Sequence, residues 1–455
     1  MKPRVGLVLA CVAGMACAPA PSPAPAAPPL APVATASPAP PPPSAPAPAQ
    51  PTPVVETPPD VAPQGPFNVL LILVDSMRAD MPWAGYSRDI APNLTRLESQ
   101  SVSYTRAYST SSYTAKSVAA LLSGQYPSSL KRSGFFFTKY PSSNLFIAEL
   151  MQKAGIFTVS AHGHMYMKRD NGMDQGFDLW DVVEGISFDN TTDKHVTSDK
   201  LTPLAIKMLE QKPSTERFFA YLHYMDPHDQ YVKHAESPDF GKSPRDRYDS
   251  EIFFTDLWIG KLFEWCESQP WWKDTVVMVS ADHGEAFGEH KQYRHAFELW
   301  DVLTHVPMFV RLPGAEPRRI DTPRGNIDLA KTILELSGTA ADGPFVGESL
   351  VPELRGGAAA PRPVLLDLPA DSNNPERRAL VSGDYKLLVY GNDWKFSLFN
   401  LTEDPGELKD LAKEEPETLA RLKQKYQEVW GKVVKVKPYG GNKLMGGGVA
   451  NGPAN

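Results

Sequence analysis

The sequence predicts a doubly wound α/β domain with a mainly parallel sheet, followed by a smaller C-terminal α+β subdomain. Three observations carry this. Runs of strand length such as Asn68 to Val74 (NVLLILV) are almost continuously apolar, as expected of strands covered on both faces. Helical patterns separate these runs, and that alternation indicates a parallel sheet with crossover helices. From about Pro361 the pattern changes to short strands and one amphipathic helix.

Taken in order, the chain opens on Lys2 and Arg4 and an apolar stretch from Val5 to Met15, too short to span a bilayer as a helix. It ends in Gly14-Met15-Ala16-Cys17, which resembles the lipobox of bacterial lipoproteins and makes Cys17 the expected lipidation site. Cys11 is the rival site, and an ordinary signal peptide cleaved near Ala18 is the plain alternative. Either way the protein is expected to be exported, and with a lipid on Cys17 it would face the periplasm or cell surface on a membrane anchor. The third cysteine, Cys266, lies in a helical apolar pattern and reads as core, so no disulfide is expected.

Residues 18–66 hold twenty of the 45 prolines and only two charges, Glu56 and Asp60. Such a stretch cannot bury apolar surface and reads as a semi-extended linker, reaching on the order of 100 Å or more. The expected catalytic domain covers 67–360. Its further strand runs are Phe157 to Ala161, Phe218 to Tyr224, Val276 to Ser280 and Val306 to Arg311. Its helical stretches include Pro92 to Gln100, Asn144 to Ala154 and Glu251 to Glu267. In the subdomain, 361–435, strands are expected at Ala379 to Val381, Tyr385 to Tyr390 and Phe396 to Asn400. A helix opening at Pro416 would dock through Leu419, Leu422, Tyr426 and Val429. The Gly-rich end, 436–455, reads as a flexible tail. With 42% hydrophobic and 22% charged residues and a net charge of -7, the composition is that of a soluble globular protein without the basic stripe of a nucleic-acid binder.

Ligands of such folds bind beyond the carboxyl ends of the strands. Asp75 directly follows the first run, and Asp282-His283 follow Val276 to Ser280 in the same manner. One such acid reads equally as a helix cap, but the pair of sites points to a metal held by oxygen and nitrogen. The cluster Ser109 to Ser117 precedes an apolar helical stretch ending at Gly124, which places a hydroxyl at a helix N-terminus, where an anion is favoured. Its plain reading is an N-cap.

These segments together resemble the sulfatase family of the alkaline phosphatase superfamily, from about Phe67 to Trp430. Ala91 to Leu97 (APNLTRL), Ala119 to Pro127 (AALLSGQYP), Val276 to Glu285, Gly383 to Leu387 (GDYKL) and Leu398 to Asp410 (LFNLTEDPGELKD) carry the likeness in the family's order. The resemblance implies an alkaline phosphatase-like fold and an anionic ester substrate, a glycan or lipid head group among the candidates. It also implies one divalent ion, Ca²⁺, Mg²⁺ or Mn²⁺, with Zn²⁺ permitted by the histidines. It makes Asp75, Asp282 and His283 metal ligands, joined by Thr114 at the nucleophile position. His162 and His164 are implied to contact the substrate's anionic group, His228 to contact the substrate or donate a proton, and His295 to face the leaving group. Lys116, near the helix N-terminus, is expected to bind the substrate by stabilising its developing charge. His223 falls inside a strand run, where a core histidine and a site histidine read alike.

Two departures bear on the chemistry. Where relatives carry the Cys or Ser that is oxidised to formylglycine, this chain has Thr114, which cannot yield the aldehyde. Ser76 stands where a second metal aspartate is expected. A threonine at a metal site is still a competent nucleophile, so phosphate or phosphonate esters are favoured. A sulfuric-ester hydrolase working without formylglycine, and a non-catalytic surface lipoprotein that binds anionic glycans, are the alternatives.

Overall fold

The computed structural model describes residues 65–187 and 196–440. Cys17, Cys11 and most of the linker lie outside the described residues. The central sheet has eight strands. In spatial order they are Arg318–Ile320, Val102–Tyr104, Met308–Arg311, Thr275–Ala281, Asn68–Val74, Phe218–Tyr224, Phe157–His162 and Leu179–Val182. The last five are mutually parallel, whereas Met308–Arg311 runs antiparallel to its neighbours on both sides. The middle strands are buried at every position because helices cover both faces.

One apolar cluster lies on each side of the sheet. On one face, the helices Thr114–Ser123, Ile147–Lys153 and Asp328–Leu336 pack against Val69, Leu71 and Leu73. On the other, Pro92–Glu98, Ser198–Leu209 and Pro244–Glu267 pack against Leu70, Ile72 and Val74. Alternate residues of a single strand therefore feed two separate cores.

Several boundaries differ from those expected. The run Val306 to Arg311 splits at Pro307, which has no N–H to donate. His305–Val306 pairs with Ala107–Tyr108, and only Met308–Arg311 joins the central sheet. The helix expected from Glu251 starts at Pro244, where Ser243 and Asp246 form a reciprocal capping box. Its first turns are charged on the exposed side, so apolar spacing alone misses them.

The C-terminal sheet is an antiparallel meander of Val364–Leu368, Arg377–Ser382, Tyr385–Tyr390 and Lys395–Asn400, backed by helix Pro416–Trp430. Its first strand is absent from the expected set. Val364–Leu368 interrupts its apolar run with Asp367, buried and satisfied by the backbone N–H and hydroxyl of Ser128. Leu422, Tyr426 and Trp430 supply the buried face of the helix, with Leu419 and Val429 at its margin. The flexible tail expected from residue 436 needs correcting at its start. Val436 and Tyr439 donate backbone hydrogen bonds to Ser128 and Arg132, so residues up to Gly440 lie along the 128–134 segment.

Candidate metal and active site

Five side chains meet at the carboxyl end of the central strands. Asp75 follows Asn68–Val74, and its N–H donates to Tyr224 O at 2.8 Å. Asp282 and His283 follow the neighbouring strand, with Val74 in register with Ala281. His223, next to last in Phe218–Tyr224, lies across from Leu73 on one side and His162 on the other. Thr114 is the first residue of its helix, and Tyr113 before it supplies no side-chain cap.

Thr114 Oγ1 donates to Asp75 Oδ2 at 3.1 Å and lies 3.2 Å from His283 Nε2. His283 Nδ1 is 3.0 Å from Gly284 O; donating there, it leaves Nε2 as the unprotonated nitrogen facing the site. That Nε2 is 3.7 Å from Asp75 Oδ1 and 3.5 Å from Asp282 Oδ2. Ser76 adopts a left-handed backbone, φ 57°, and turns its hydroxyl back onto Asp75 Oδ1 at 2.9 Å. The serine thus orients the first carboxylate and adds no negative charge.

The electrostatics match a cation. Burial alone would raise Asp282, but positive charge beside it, as on His283 and His223 when protonated, and the Thr114 hydroxyl outweigh this and hold its carboxyl below the usual range. For His223, burial lowers the pKa, yet Asp282 and Asp75 overcome that and raise it. Oxygen and nitrogen atoms of Asp75, His223 and Asp282 lie within 4.8 Å of one another. Neither ring nitrogen of His223, nor Asp282 Oδ2, has a hydrogen-bond partner among the described residues, although all are buried. Buried polar atoms left without partners are costly, and a divalent ion satisfies all of them together. The residues present therefore fit the ion that the sequence implies.

A row of imidazoles leads outward. The His283 ring stacks on His295 at 4.2 Å, His295 meets His228 at 4.9 Å, and His228 lies 6.1 Å from His164. Thr114, His164, His228 and His295 line a cavity of about 680 Å³. Burial, with the neighbouring His283 and His228, holds His295 well below the ordinary imidazole range. Burial, reinforced by His228 and His223, likewise takes His164 down to about 3. Behind His295 stands Glu285, fully buried, its carboxylate oxygens 3.2 and 3.3 Å from His295 Nδ1. Burial pushes Glu285 up to about 7.

Two residues implied as substrate contacts lie elsewhere. Lys116 is fully buried and bonds to Thr138, with Asp371 at 3.7 Å. Two residues on from Thr114 along a helix is a rotation of about 200°, which turns Lys116 away from the cavity and into the protein. His162 ends its strand on the same face as Ser160, accepts or donates a 2.8 Å hydrogen bond to that hydroxyl, and packs on Trp180. It is absent from the cavity lining, whereas His164 reaches it. Glu285 and Ser76 were present in the motifs but had no role assigned to them. Only the alternation of buried strand residues with site residues could have separated His223 from core.

The comparisons with known proteins agree with this architecture. The family model described as Sulfatase matches residues 67–339, more than half of the chain, and that described as N-sulphoglucosamine sulphohydrolase, C-terminal, matches residues 288–432. The chain is 23% identical over 426 residues to the choline-sulfatase of Rhizobium meliloti, covering 76% of this chain and 82% of that one. It is 26% identical over 331 residues to the ulvan-active sulfatase of Formosa agariphila, covering 62% and 64%. Among solved structures, a 2-O GAG sulfatase superposes with a TM-score of 0.67 at 21% identity, covering 82% of this chain and 95% of that one. The phosphonate monoester hydrolase of Agrobacterium radiobacter superposes with a TM-score of 0.65 at 16% identity, covering 81% and 96%. The chain belongs to the sulfatase family of the alkaline phosphatase superfamily, and its enzyme class is that of the sulfuric- or phosphoric-ester hydrolases.

Proposed function

We propose that the protein hydrolyses phosphate or phosphonate esters in preference to sulfate esters, with Thr114 Oγ1 as the nucleophile. The observation that carries this reading is the position of that oxygen. It lies on the cavity wall within hydrogen-bond reach of both Asp75 and His283. A divalent ion bound by Asp75, Asp282 and the adjoining imidazoles would supply Lewis acidity at the hydroxyl and at one ester oxygen.

The protein's own groups account for the remaining steps. The Thr114 hydroxyl directs its proton to Asp75, and Oγ1 attacks phosphorus as the bond to the leaving oxygen breaks. Glu285, whose pKa burial raises to about 7, would donate its proton to His295 Nδ1 while His295 passes the proton on its other ring nitrogen to the leaving oxygen, and His228 stands beside it. Water then attacks the phosphothreonine, giving its proton to the His295–Glu285 pair as the bond to Oγ1 breaks and Thr114 recovers its proton from Asp75; an alcohol in place of water would make the reaction a transfer. Sulfate esters are disfavoured because threonine cannot be converted to the aldehyde whose hydrate attacks sulfur in relatives.

The test is a substrate panel on the full chain: aryl sulfate, phosphate monoester, phosphodiester and phosphonate monoester, each with added Ca²⁺, Mg²⁺, Mn²⁺ or Zn²⁺. Turnover is expected with phosphorus esters, and Thr114→Ala should lower kcat by about a thousandfold or more. Thr114→Ser should keep a measurable rate. Sulfate turnover that survives Thr114→Ala would overturn the nucleophile, and retained binding of sulfated glycans without turnover of any ester would favour a binding protein.

A further inference from the structure

His223 is fully buried at the end of an otherwise uncharged strand, and neither of its ring nitrogens has a hydrogen-bond partner among the described residues. Its Nε2 stands 3.5 Å from Asp75 Oδ2 and 3.7 Å from Asp282 Oδ2. His283 Nε2 repeats that relation, at 3.7 Å from Asp75 Oδ1 and 3.5 Å from Asp282 Oδ2. Two imidazoles therefore face the same pair of carboxylates.

From this geometry we infer that His223 is a direct ligand of the ion, and that the site selects Zn²⁺ over Ca²⁺. The inference rests on the metal-dependent reading above but not on the identity of the ester. The spacing of the donors argues for the ligand. Bonds of about 2.0–2.1 Å in a tetrahedral arrangement set donor atoms about 3.3–3.5 Å apart. The four imidazole-to-carboxylate separations are 3.5 to 3.7 Å, which the longer bonds of a larger ion with donors at right angles would meet equally, so the distances place His223 among the ligands and leave the choice of ion to ligand chemistry.

Ligand chemistry chooses the ion. Ca²⁺ takes about six to eight oxygen donors, and its bonds are longer. Here the oxygen donors are two carboxylates and the Thr114 hydroxyl, while Ser76, which could have added an oxygen, is turned onto Asp75. Imidazole nitrogen suits borderline ions such as Zn²⁺ far better than hard ones. Two carboxylates also balance the charge of one divalent ion when both imidazoles are neutral. The two imidazoles and two carboxylates would make up the four-coordinate set, which Thr114 expands to five as the group that reacts.

The experiment measures metal binding directly. The full chain is stripped with a chelator and titrated calorimetrically with Zn²⁺ and with Ca²⁺. Co²⁺ is then bound, and its visible absorption reports coordination number. His223→Ala and His223→Gln are treated alongside, and the circular dichroism of each stripped protein checks its fold. The parent should bind Zn²⁺ at least about a hundredfold more tightly than Ca²⁺ and show the intense Co²⁺ bands of a low-coordinate site. Each variant should lose more than about 100-fold in Zn²⁺ affinity, beyond the roughly 10- to 100-fold loss expected of a residue that only orients a ligand, and weaken those bands.

Tighter binding of Ca²⁺ than Zn²⁺ by the parent would overturn the selectivity, a result that needs no variant to fold. Unchanged Zn²⁺ affinity in a folded variant would overturn the ligand. If no ester is turned over while Zn²⁺ binding still depends on His223, the hydrolase reading fails and the ligand assignment stands. If Thr114→Ala abolishes turnover and Zn²⁺ affinity is indifferent to residue 223, the reverse holds.

Discussion

Residue 284 shows how closely the site is built at the scale of a single side chain. A Cβ placed on Gly284 would lie 2.2 Å from Val302 O, well inside any real contact, and the neighbouring Leu303 O accepts the Gly284 N–H at 2.9 Å. The glycine thus lets the segment after Asp282-His283 press against the 302–303 backbone, and Gly284 O in turn faces His283 Nδ1. Alanine there must move one backbone against the other. Gly284→Ala is expected to destabilise the fold by about 2–4 kcal/mol and to weaken metal binding by displacing His283. Urea unfolding and metal titration check both parts; a variant with normal stability and affinity would show that the segment yields freely. Much of this residue scale was legible. The shared location of Asp75, Asp282 and His283 could be read because each follows a strand whose burial on both faces is plain in its composition. Motif position did not report where Lys116 and His162 lie: helix phase turns Lys116 inward, and His162, in register with His223, sits one strand farther from Asp75 and packs on Trp180.

At the scale of elements, the segment carrying His228 is held to the helix Pro244–Glu267 by one buried carboxylate. Glu251 accepts from Val232 N at 2.6 Å and lies 2.7 Å from His234 Nε2, while the His234 ring stacks on Phe254 at 4.0 Å. Burial pushes Glu251 up to about 7, against the opposing pull of His234. His234 is pushed down by burial, but its hydrogen bond to Glu251 outweighs this and leaves it raised. Both groups therefore hold protons more tightly in the folded than in the unfolded protein. Their stabilising contribution is complete below the unfolded carboxyl pKa, near 4.5, and is lost as pH rises through about 7. Glu251→Gln does not titrate in that window. Its stability relative to the parent should rise by about 2–3 kcal/mol between pH 4.5 and pH 7.5, read as the difference between urea unfolding free energies. A flat difference would show that the pair does not change protonation on folding. The sequence could not disclose this clamp, since the first turns of the helix carry charge where apolar spacing was sought. Nor did it disclose the strand Val364–Leu368, whose Asp367 breaks the apolar run and whose satisfaction by Ser128 is a long-range contact.

For the molecule as a whole, the question is what seats the C-terminal sheet on the catalytic domain. The strand Tyr385–Tyr390 sends Lys386, fully buried, to Glu407 at 2.9 Å and Asp301 at 3.5 Å. Asp301 begins the short helix after the row of site histidines, and its N–H donates to Glu407 Oε2 at 2.5 Å. His305 also contacts Asp301, at 3.3 Å, and stacks on Tyr108. One ammonium thus lies between two acids from different parts of the chain. Burial drives Glu407 up to about 7, while Lys386, ahead of His305, draws Asp301 down against its own burial. Removing the cation leaves two buried carboxylates facing each other, and breaking such a cluster costs more than the intact cluster contributes. Lys386→Met is therefore expected to lower stability by about 3–5 kcal/mol at neutral pH, with less loss in acid, where the carboxyls take up protons. Unfolding followed together by tryptophan fluorescence and circular dichroism should still show one transition, because Asp367 and Ser128 also tie the sheet to the domain. Two separated transitions in the variant would show that Lys386 alone makes the sheet and the catalytic domain unfold as one. An unchanged midpoint would show that apolar packing seats the sheet without it.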